Sequence, residues 1–495
     1  MPSPEGGEVQ AIGRALAEEL PSQRWFGGKA RKISFHQILD FGECTAGGRR
    51  FLLPIIRISF EEGGTEDYFI PLRRLEGDYR ESGGISVTLD TPGGSATYSD
   101  ALHDIEFIRL IFSMLSGGGR IVMNHGEIRA EPAESFHGSL SAAPSMSKVV
   151  SSEQSNTSVI LDGRTIYKSY RRLESGENPD YEVAAVLTSR TQFRSIPAPL
   201  GKLAYHGQST SLLGSLSVFI QNEGDCWSYV TGMLSDHFLG GNAPPGDFIE
   251  KLGLTTSAMH NALSSVGGID GFAPLPIAEE DVLRWKGDYR ELLAGALLSL
   301  ERHMPDLGRS AAEVGQAVME RRRRLFDAGA GAGNLLGRGI HRIRIHGDYH
   351  LGQVLKSGSE LYVIDFEGEP MRPLEYRRSP HCALRDVSGM LRSLDYASAF
   401  AARKSGTGGG AAEKWSADAS SLFLESYWKG YSPSSEYLPA DFGEMKEALR
   451  FFTIEKAVYE LNYELNNRPE WVEIPLNALA RLSGAAAQTI NKDRI

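Results

Sequence analysis

The chain has 495 residues, 41% hydrophobic and 23% charged, which is enough to bury large cores and to form two or three domains. Its net charge of −11 argues against nucleic acid as a partner. No apolar run approaches the ~18 residues of a membrane span, the opening MPSPEGGEVQ is polar and acidic, and the three cysteines (Cys44, Cys226, Cys382) are too widely spaced for a disulfide framework, so a cytoplasmic protein is expected.

The first elements predict a unit of their own. Residues 50–60 carry Leu52, Leu53, Ile55, Ile56 and Ile58 and predict a strand, residues 67–72 another, and Asp100 is placed to cap an apolar-striped helix that runs to Leu115 and ends at Gly117-Gly118-Gly119. Residues 131–147, rich in Ala, Pro and Ser, predict a linker with a domain boundary near 145. A short strand over 148–150, a polar loop over 153–158 and a second strand over 158–161 follow. Asp162-Gly163 predicts a tight turn into a third strand, 164–170, which carries Lys168. Pro179-Asp180 opens a helix with Asp180 as N-cap and Glu182 in the first turn. Residues 216–220 predict an apolar strand, Gln221-Asn222-Glu223-Gly224 a connector, and Asp225 the cap of the next helix. The basic run 321–324 lies on a helical stretch and predicts a solvated face, while the Gly/Ala stretches 328–333 and 404–412 predict mobile loops.

The block His346-Gly347-Asp348-Tyr349-His350-Leu351-Gly352-Gln353, with Asp365-Phe366-Glu367 after a strand-like run, points to phosphoryl transfer. That chemistry needs one carboxylate beside the acceptor hydroxyl and two oxygen ligands holding Mg²⁺ on the triphosphate of ATP. Asp348 is the base; Gln353, after four intervening residues, and Asp365 are the metal ligands. Gln offers the same hard carbonyl oxygen as the usual Asn on a longer arm. A lone Asp348 would read as a loop cap, but three groups in this order outweigh that. Upstream, in kinase order, stand Lys168 and Glu182 as a phosphate anchor. The phosphate loop lacks glycine, so Gln154, Ser155, Asn156, Thr157 and Ser158 must supply the donors; alone they would read as a turn. Gln221 and Glu223 lie in the adenine connector. Tyr459 and Tyr463 are four apart and share a helix face, a spacing that suits both sugar stacking and simple packing.

The stretches EQSNTSVI (153–160), RRLESGENPDYE (171–182), GDCWSY (224–229), RIHGDYHLGQVL (344–355), IDFEGEP (364–370) and LRDVSGMLRSLDYAS (384–398) resemble the maltokinases, as do RWFGGKAR (24–31) and KAVYELNYELNNRPEW (456–471). The resemblance spans nearly the whole chain. It implies an α+β, two-lobed protein-kinase-like (aminoglycoside phosphotransferase-like) fold with an N-terminal α/β cap: cap 1–145, N-lobe 146–224, mostly helical C-lobe 225–495. It further implies transfer from Mg·ATP to the anomeric hydroxyl of maltose, giving maltose 1-phosphate for α-glucan synthesis, with trehalose synthase as a candidate partner. Carried over by residue, Asp348 is the base, Gln353 and Asp365 bind metal, Lys168 with Glu182 anchors phosphate, and His350, Lys456, Tyr459 and Tyr463 meet the sugar. Three departures bear on sugar identity: Ser257-Ala258-Met259-His260 where the family carries A-E-L-H, the insertion His381-Cys382-Ala383, and Cys226 at a glycine position. Glucosamine or another monosaccharide is therefore the alternative acceptor. A catalytically dead sugar- or nucleotide-binding regulator is a reading of a different class, opposed by the complete set Lys168, Glu182, Asp348, Gln353 and Asp365.

Overall fold

The computed structural model of the protein describes residues 6–76, 83–91, 94–133, 142–150, 155–242, 244 and 246–484. It divides into two compact units, one of residues 1–189 and 196–221, the other of residues 190–195 and 222–495.

The first unit contains helices α1 (Gly6–Glu19), α2 (Ile105–Gly117) and α3 (Pro179–Arg190). Its strands are β1 (Ile33–Ala46), β2 (Arg49–Phe60), β3 (Thr65–Phe69), β4 (Leu72–Glu76), β5 (Ser86–Thr91), β6 (Gly94–Asp100), β7 (Arg120–Val122), β8 (Glu127–Pro132), β9 (Ser147–Val149), β10 (Asn156–Leu161), β11 (Thr165–Tyr170), β12 (Arg172–Leu173), β13 (Pro199–His206) and β14 (Thr210–Val218). They form two antiparallel sheets, one in the order β12-β3-β2-β4-β6-β5 with β1 also on β2, the other in the order β7-β8-β13-β14-β11-β10-β9. The expected boundary near 145 thus falls between β8 and β9 of one sheet, and residues 134–141 of the expected linker lie outside the described residues.

The apolar run of β2 explains how both sheet faces are covered. Alternation sends Phe51, Leu53 and Ile55 into a core shared with Phe107, Ile108 and Ile111 of α2 and with Tyr167 and Leu203 of the second sheet. Leu52, Ile56, Ile58 and Phe60 enter a separate core against Ile12 and Leu16 of α1. Each such burial contributes about 1.5–3 kcal/mol. The strand expected over 67–72 is instead two, β3 and β4, broken at Ile70-Pro71, where proline has no N–H for the ladder. Asp100 caps only the short 3₁₀ turn Ala101–His103; the N-cap of α2 is Asp104, whose Oδ1 accepts from Glu106 N at 2.8 Å, and left-handed Gly118 ends the helix. Asp162 and Gly163 both adopt positive φ, +48° and +64°, in a tight turn closed by Arg164 N donating to Leu161 O at 2.9 Å.

The second unit contains α4 (Cys226–Phe238), α5 (Gly246–Ser264), α6 (Glu279–His303), α7 (Arg309–Glu320), α8 (Arg322–Ala328), α9 (Leu374–Arg378), α10 (Leu384–Ser405), α11 (Gly409–Gly430), α12 (Phe442–Asn467) and α13 (Glu473–Gly484). Two small hairpins accompany them, β15 (Leu275–Pro276) with β16 (His341–Arg342) and β17 (Val354–Ser357) with β18 (Glu360–Val363). As the sequence predicts, Asp225 caps α4, accepting from Ser228 N at 2.7 Å. The Gly/Ala stretches are not mobile loops. The first is a 3₁₀ helix, Gly329–Leu335, with Gly329, Ala332 and Leu335 buried; in the second, Gly406 caps α10 and α11 begins at Gly409. Among the described residues, no helix is long and apolar enough to cross a membrane.

Candidate active site

The catalytic-loop candidate in the second unit is held by its backbone. The carboxylate of Asp386 on α10 accepts from His346 N at 2.8 Å and Gly347 N at 2.9 Å, and lies 3.1 Å from His260 Nε2 of α5. The ionised carboxylate only accepts, so His260 Nε2 carries a proton towards it, while His260 Nδ1 lies 2.8 Å from the Tyr427 hydroxyl. Burial would raise the Asp386 carboxyl, but His260, His346 and the Gly347 N–H outweigh it and hold the group below its usual range. His346 Nε2 donates to Ile364 O at 2.9 Å, tying the loop to the segment after β18 that carries Asp365. Two glycines are sterically required. Gly347 adopts φ +86°, and a Cβ on Gly389 of α10 would sit 2.6 Å from Tyr349 O.

Gln353 closes the 3₁₀ turn Leu351–Gln353, which His350 caps by accepting from Gly352 N at 3.1 Å. Asp365 follows β18 in the left-handed region, φ +66°, sparsely populated for a non-glycine residue and held here by its surroundings. The Gln353 amide and the Asp365 carboxylate are 3.0 Å apart. The two expected metal ligands are thus neighbours, and turning the amide presents its carbonyl beside the carboxylate, a hard oxygen pair suited to Mg²⁺.

Asp348, with a side chain 32% exposed, opens into a cavity that Glu369, Arg372, Tyr376, Lys456 and Tyr459 also line. Lys456 Nζ of α12 is 2.9 Å from Glu369 and 4.9 Å from the Tyr459 ring. Burial works against the Lys456 charge, yet Glu369 and Asp348 outweigh it and hold the ammonium above its usual range. His350 Nε2 is 3.8 Å from Asp348, and burial, opposed by Asp348, keeps this imidazole below its ordinary value. Tyr463, one turn beyond Tyr459, does not line the cavity: it is 44% exposed beneath the Arg468 guanidinium. Glu223 bonds Lys356 Nζ at 2.6 Å and Gly358 N at 2.9 Å, which fixes the connector to the β17–β18 hairpin.

In the first unit, Lys168 Nζ lies 3.0 Å from Asp180 Oδ2, which also accepts from the Tyr170 hydroxyl at 3.1 Å. Asp180 has this freedom because Asn178 is the N-cap of α3 and accepts from Asp180 N at 2.9 Å, with Pro179 at the first helical position. Glu182 follows in the same first turn. The expected phosphate loop is partly strand: β10 starts at Asn156, and Ser158 pairs opposite Lys168. Alternation turns Thr157 the other way, where its hydroxyl accepts from Arg171 Nε at 2.9 Å. Ser155 is exposed, and Gln154 lies outside the described residues. Gln221 Nε2 donates to Gly163 O at 2.7 Å.

Sequence reasoning assigned no role to Asp386, Glu369 or the pair Arg385–Glu455, joined at 2.9 Å. Asp386 and Glu369 stand inside the quoted stretches LRDVSGM and IDFEGEP, yet nothing local in those stretches reveals a tertiary anchor or an ion-pair partner 87 positions away.

No family model matches the chain. It is 26% identical over 346 residues to a glucosamine kinase of Mycolicibacterium smegmatis (strain ATCC 700084 / mc(2)155), covering 68% of this chain and 79% of that protein. It is 27% identical over 329 residues to a glucosamine kinase of Streptacidiphilus jiangxiensis, covering 65% and 70%. Among solved structures, a glucosamine kinase in complex with glucosamine, ADP and inorganic phosphate superposes with a TM-score of 0.68 at 21% identity, over 97% of this chain and 100% of that one. A second crystal form of glucosamine kinase gives a TM-score of 0.68 over 96% and 99%. The fold is therefore the α+β kinase-like fold of those structures along nearly the whole chain, as the sequence predicts.

Proposed function

We propose that the protein is an ATP-dependent sugar kinase that transfers the γ-phosphoryl group of ATP to a hydroxyl of glucosamine. The observation that carries this reading is the Asp348 cavity, in which a carboxylate on a backbone-anchored loop shares the lining with the half-buried pair Lys456–Glu369 and Tyr459. The acceptor oxygen forms a bond to the γ-phosphorus, the bond to the β,γ-bridging oxygen breaks, ADP leaves, and the hydroxyl proton passes to Asp348. Lys456 and Glu369 hold each other in place and offer a donor and an acceptor to sugar hydroxyls, while Tyr459 offers an apolar ring edge or face. Lys168 is assigned to nucleotide phosphate, and Gln353 and Asp365 to Mg²⁺, which when bound offsets the charge of the triphosphate. Glucosamine is placed first because the two relatives described above are named for it.

Maltose, phosphorylated at its anomeric hydroxyl, is the second reading. It is supported by the long motif stretches shared with maltokinases and by Lys456 and Tyr459 lining the cavity, the sugar-contact positions that resemblance assigns. Supply of α-glucan synthesis and a trehalose synthase partner belong to this reading alone. The test is ADP release by the purified protein with Mg·ATP and glucosamine, maltose or glucose, with the phosphorylated position read by phosphorus–proton coupling in NMR. Highest kcat/KM with glucosamine supports the first reading; highest kcat/KM with maltose and an anomeric phosphate replaces it with the second; release with no sugar rejects both.

A further inference from the structure

His381 opens the three-residue insertion singled out in the sequence, and the structure makes it a wall of the Asp348 cavity. Its backbone is clamped: His381 N donates to Ile343 O at 2.7 Å, and Ile343 N donates to His381 O at 2.9 Å. Its ring packs 4.3 Å from that of Tyr376, over which Arg372 lies at 4.9 Å. Nε2 is 2.8 Å from Tyr376 O, an acceptor only, so Nε2 carries the proton and Nδ1 is left with a lone pair.

The polar groups around the cavity are otherwise largely committed. Glu369 holds Lys456, Glu455 holds Arg385, Asp386 holds the loop backbone, and Arg377 donates to the carbonyl of Glu367 at 3.0 Å. His381 Nδ1 has no partner among the described residues and is not one of the buried orphaned atoms, so on a cavity-lining residue it remains an accessible acceptor. Burial, opposed by the Tyr376 carbonyl and assisted by Arg385, Arg342 and Arg284, takes the imidazole down to about 4, so it is neutral at physiological pH. Those same arginines make the surroundings of the imidazole unfavourable for a further cation and suited to an uncharged donor.

We propose that His381 is a specificity-determining residue of this cavity, its Nδ1 accepting a hydrogen bond from an uncharged hydroxyl of the sugar remote from the reacting one. The inference rests on the sugar-kinase reading and adds to it that an amino group on the acceptor points away from His381. The test uses the full chain, Mg·ATP, the sugar that the wild type phosphorylates best, and its monodeoxy analogues. One analogue should raise KM about tenfold on the wild type, the cost of one neutral hydrogen bond left unmade. His381→Gln, which keeps a donor towards Tyr376 O but has no acceptor at the Nδ1 position, should raise KM for the parent sugar about tenfold, with kcat and KM for ATP unmoved, and should abolish the extra penalty of that analogue. His381→Asn, which places Oδ1 near the Nδ1 position, should recover most of the loss, to within about threefold of wild type. An unchanged sugar KM in His381→Gln, or a wild type indifferent to every single hydroxyl, overturns the inference while leaving the kinase reading intact. The analogue series on the wild type decides the matter even if His381→Gln fails to fold, whereas a wild type that phosphorylates no sugar overturns the kinase reading and this inference together.

Discussion

Asp348 is the proposed base, and its removal is the sharpest functional test. Asp348→Asn keeps size and hydrogen bonding but cannot take the hydroxyl proton, so kcat should fall at least ~10²-fold while ADP binding, followed by calorimetry, is retained. His381 has a separate signature in stability. Its folded value of about 4 lies below the ordinary 6.5, so its contribution is full above pH 6.5 and is lost as pH falls towards 4. The span corresponds to about 3 kcal/mol. Urea midpoints should therefore drop between pH 7 and pH 4.5 more in wild type than in His381→Gln, which has no imidazole to protonate. At the residue scale the sequence was legible in the pairing of Gln353 with Asp365, expected from their order and found 3.0 Å apart. Thr157 shows the limit. Starting β10 at Asn156 rather than Ser158 leaves its identity intact yet decides by alternation that it faces Arg171, and strand ends are set by pairing partners that local sequence does not show.

Among the elements, α10 does the most to place the site. Its Asp386 accepts from two successive backbone N–H groups of the candidate catalytic loop, and its Gly389 lets Tyr349 O approach within a distance no Cβ would permit. Gly389→Ala changes no charge and removes no hydrogen bond, yet it must push the loop or the helix by several tenths of an ångström. A displacement of about 1 Å costs of order 10²-fold in rate, so Gly389→Ala should lower kcat at least tenfold with KM for ATP little changed. A variant with wild-type kcat would show that the loop accommodates the methyl group and that α10 does not set its position. Asp386→Asn is expected to be harsher, because it takes the charged acceptor away from His260 Nε2 and from two backbone N–H groups in a site where Asp386 is almost fully buried; a hydrogen bond to a charged group contributes about 1.5–3 kcal/mol. Thermal melting would register that loss before any assay of activity. None of this was visible in LRDVSGM as a string, since an Asp in the first turn of a helix satisfies the helix dipole whether or not a loop lies against it.

At the scale of the whole molecule, the sequence divided the chain by composition, at the Ala/Pro/Ser-rich stretch, and the described residues are joined by pairing that crosses it. β7 and β8 extend the sheet of β9, β10, β11, β13 and β14, and β12 pairs with β3, with Arg172 opposite Tyr68. Non-local strand pairing carries no local signature, which is why a linker-like composition was the only guide. Arg171, immediately before β12, is the electrostatic counterpart of that exchange. Fully buried, it pairs with Asp100 at the end of β6, donates to Thr157 of β10 at 2.9 Å and lies 4.9 Å from the Trp25 ring. Arg171→Met keeps much of the side-chain volume but strands the Asp100 carboxylate without its cation, a loss of about 3–5 kcal/mol. Asp100→Asn added to Arg171→Met removes the orphaned charge while its amide oxygen still accepts from Leu102 N, the 3.1 Å cap seen for Asp100, so part of the stability should return. Hydrogen exchange at β2 and β10 would show whether Arg171 carries this load. Faster exchange at both strands in Arg171→Met, slowed again in the double variant, is the expected pattern. Acceleration at only one of the two strands would mean that the shared apolar core, rather than the buried ion pair, joins the sheets.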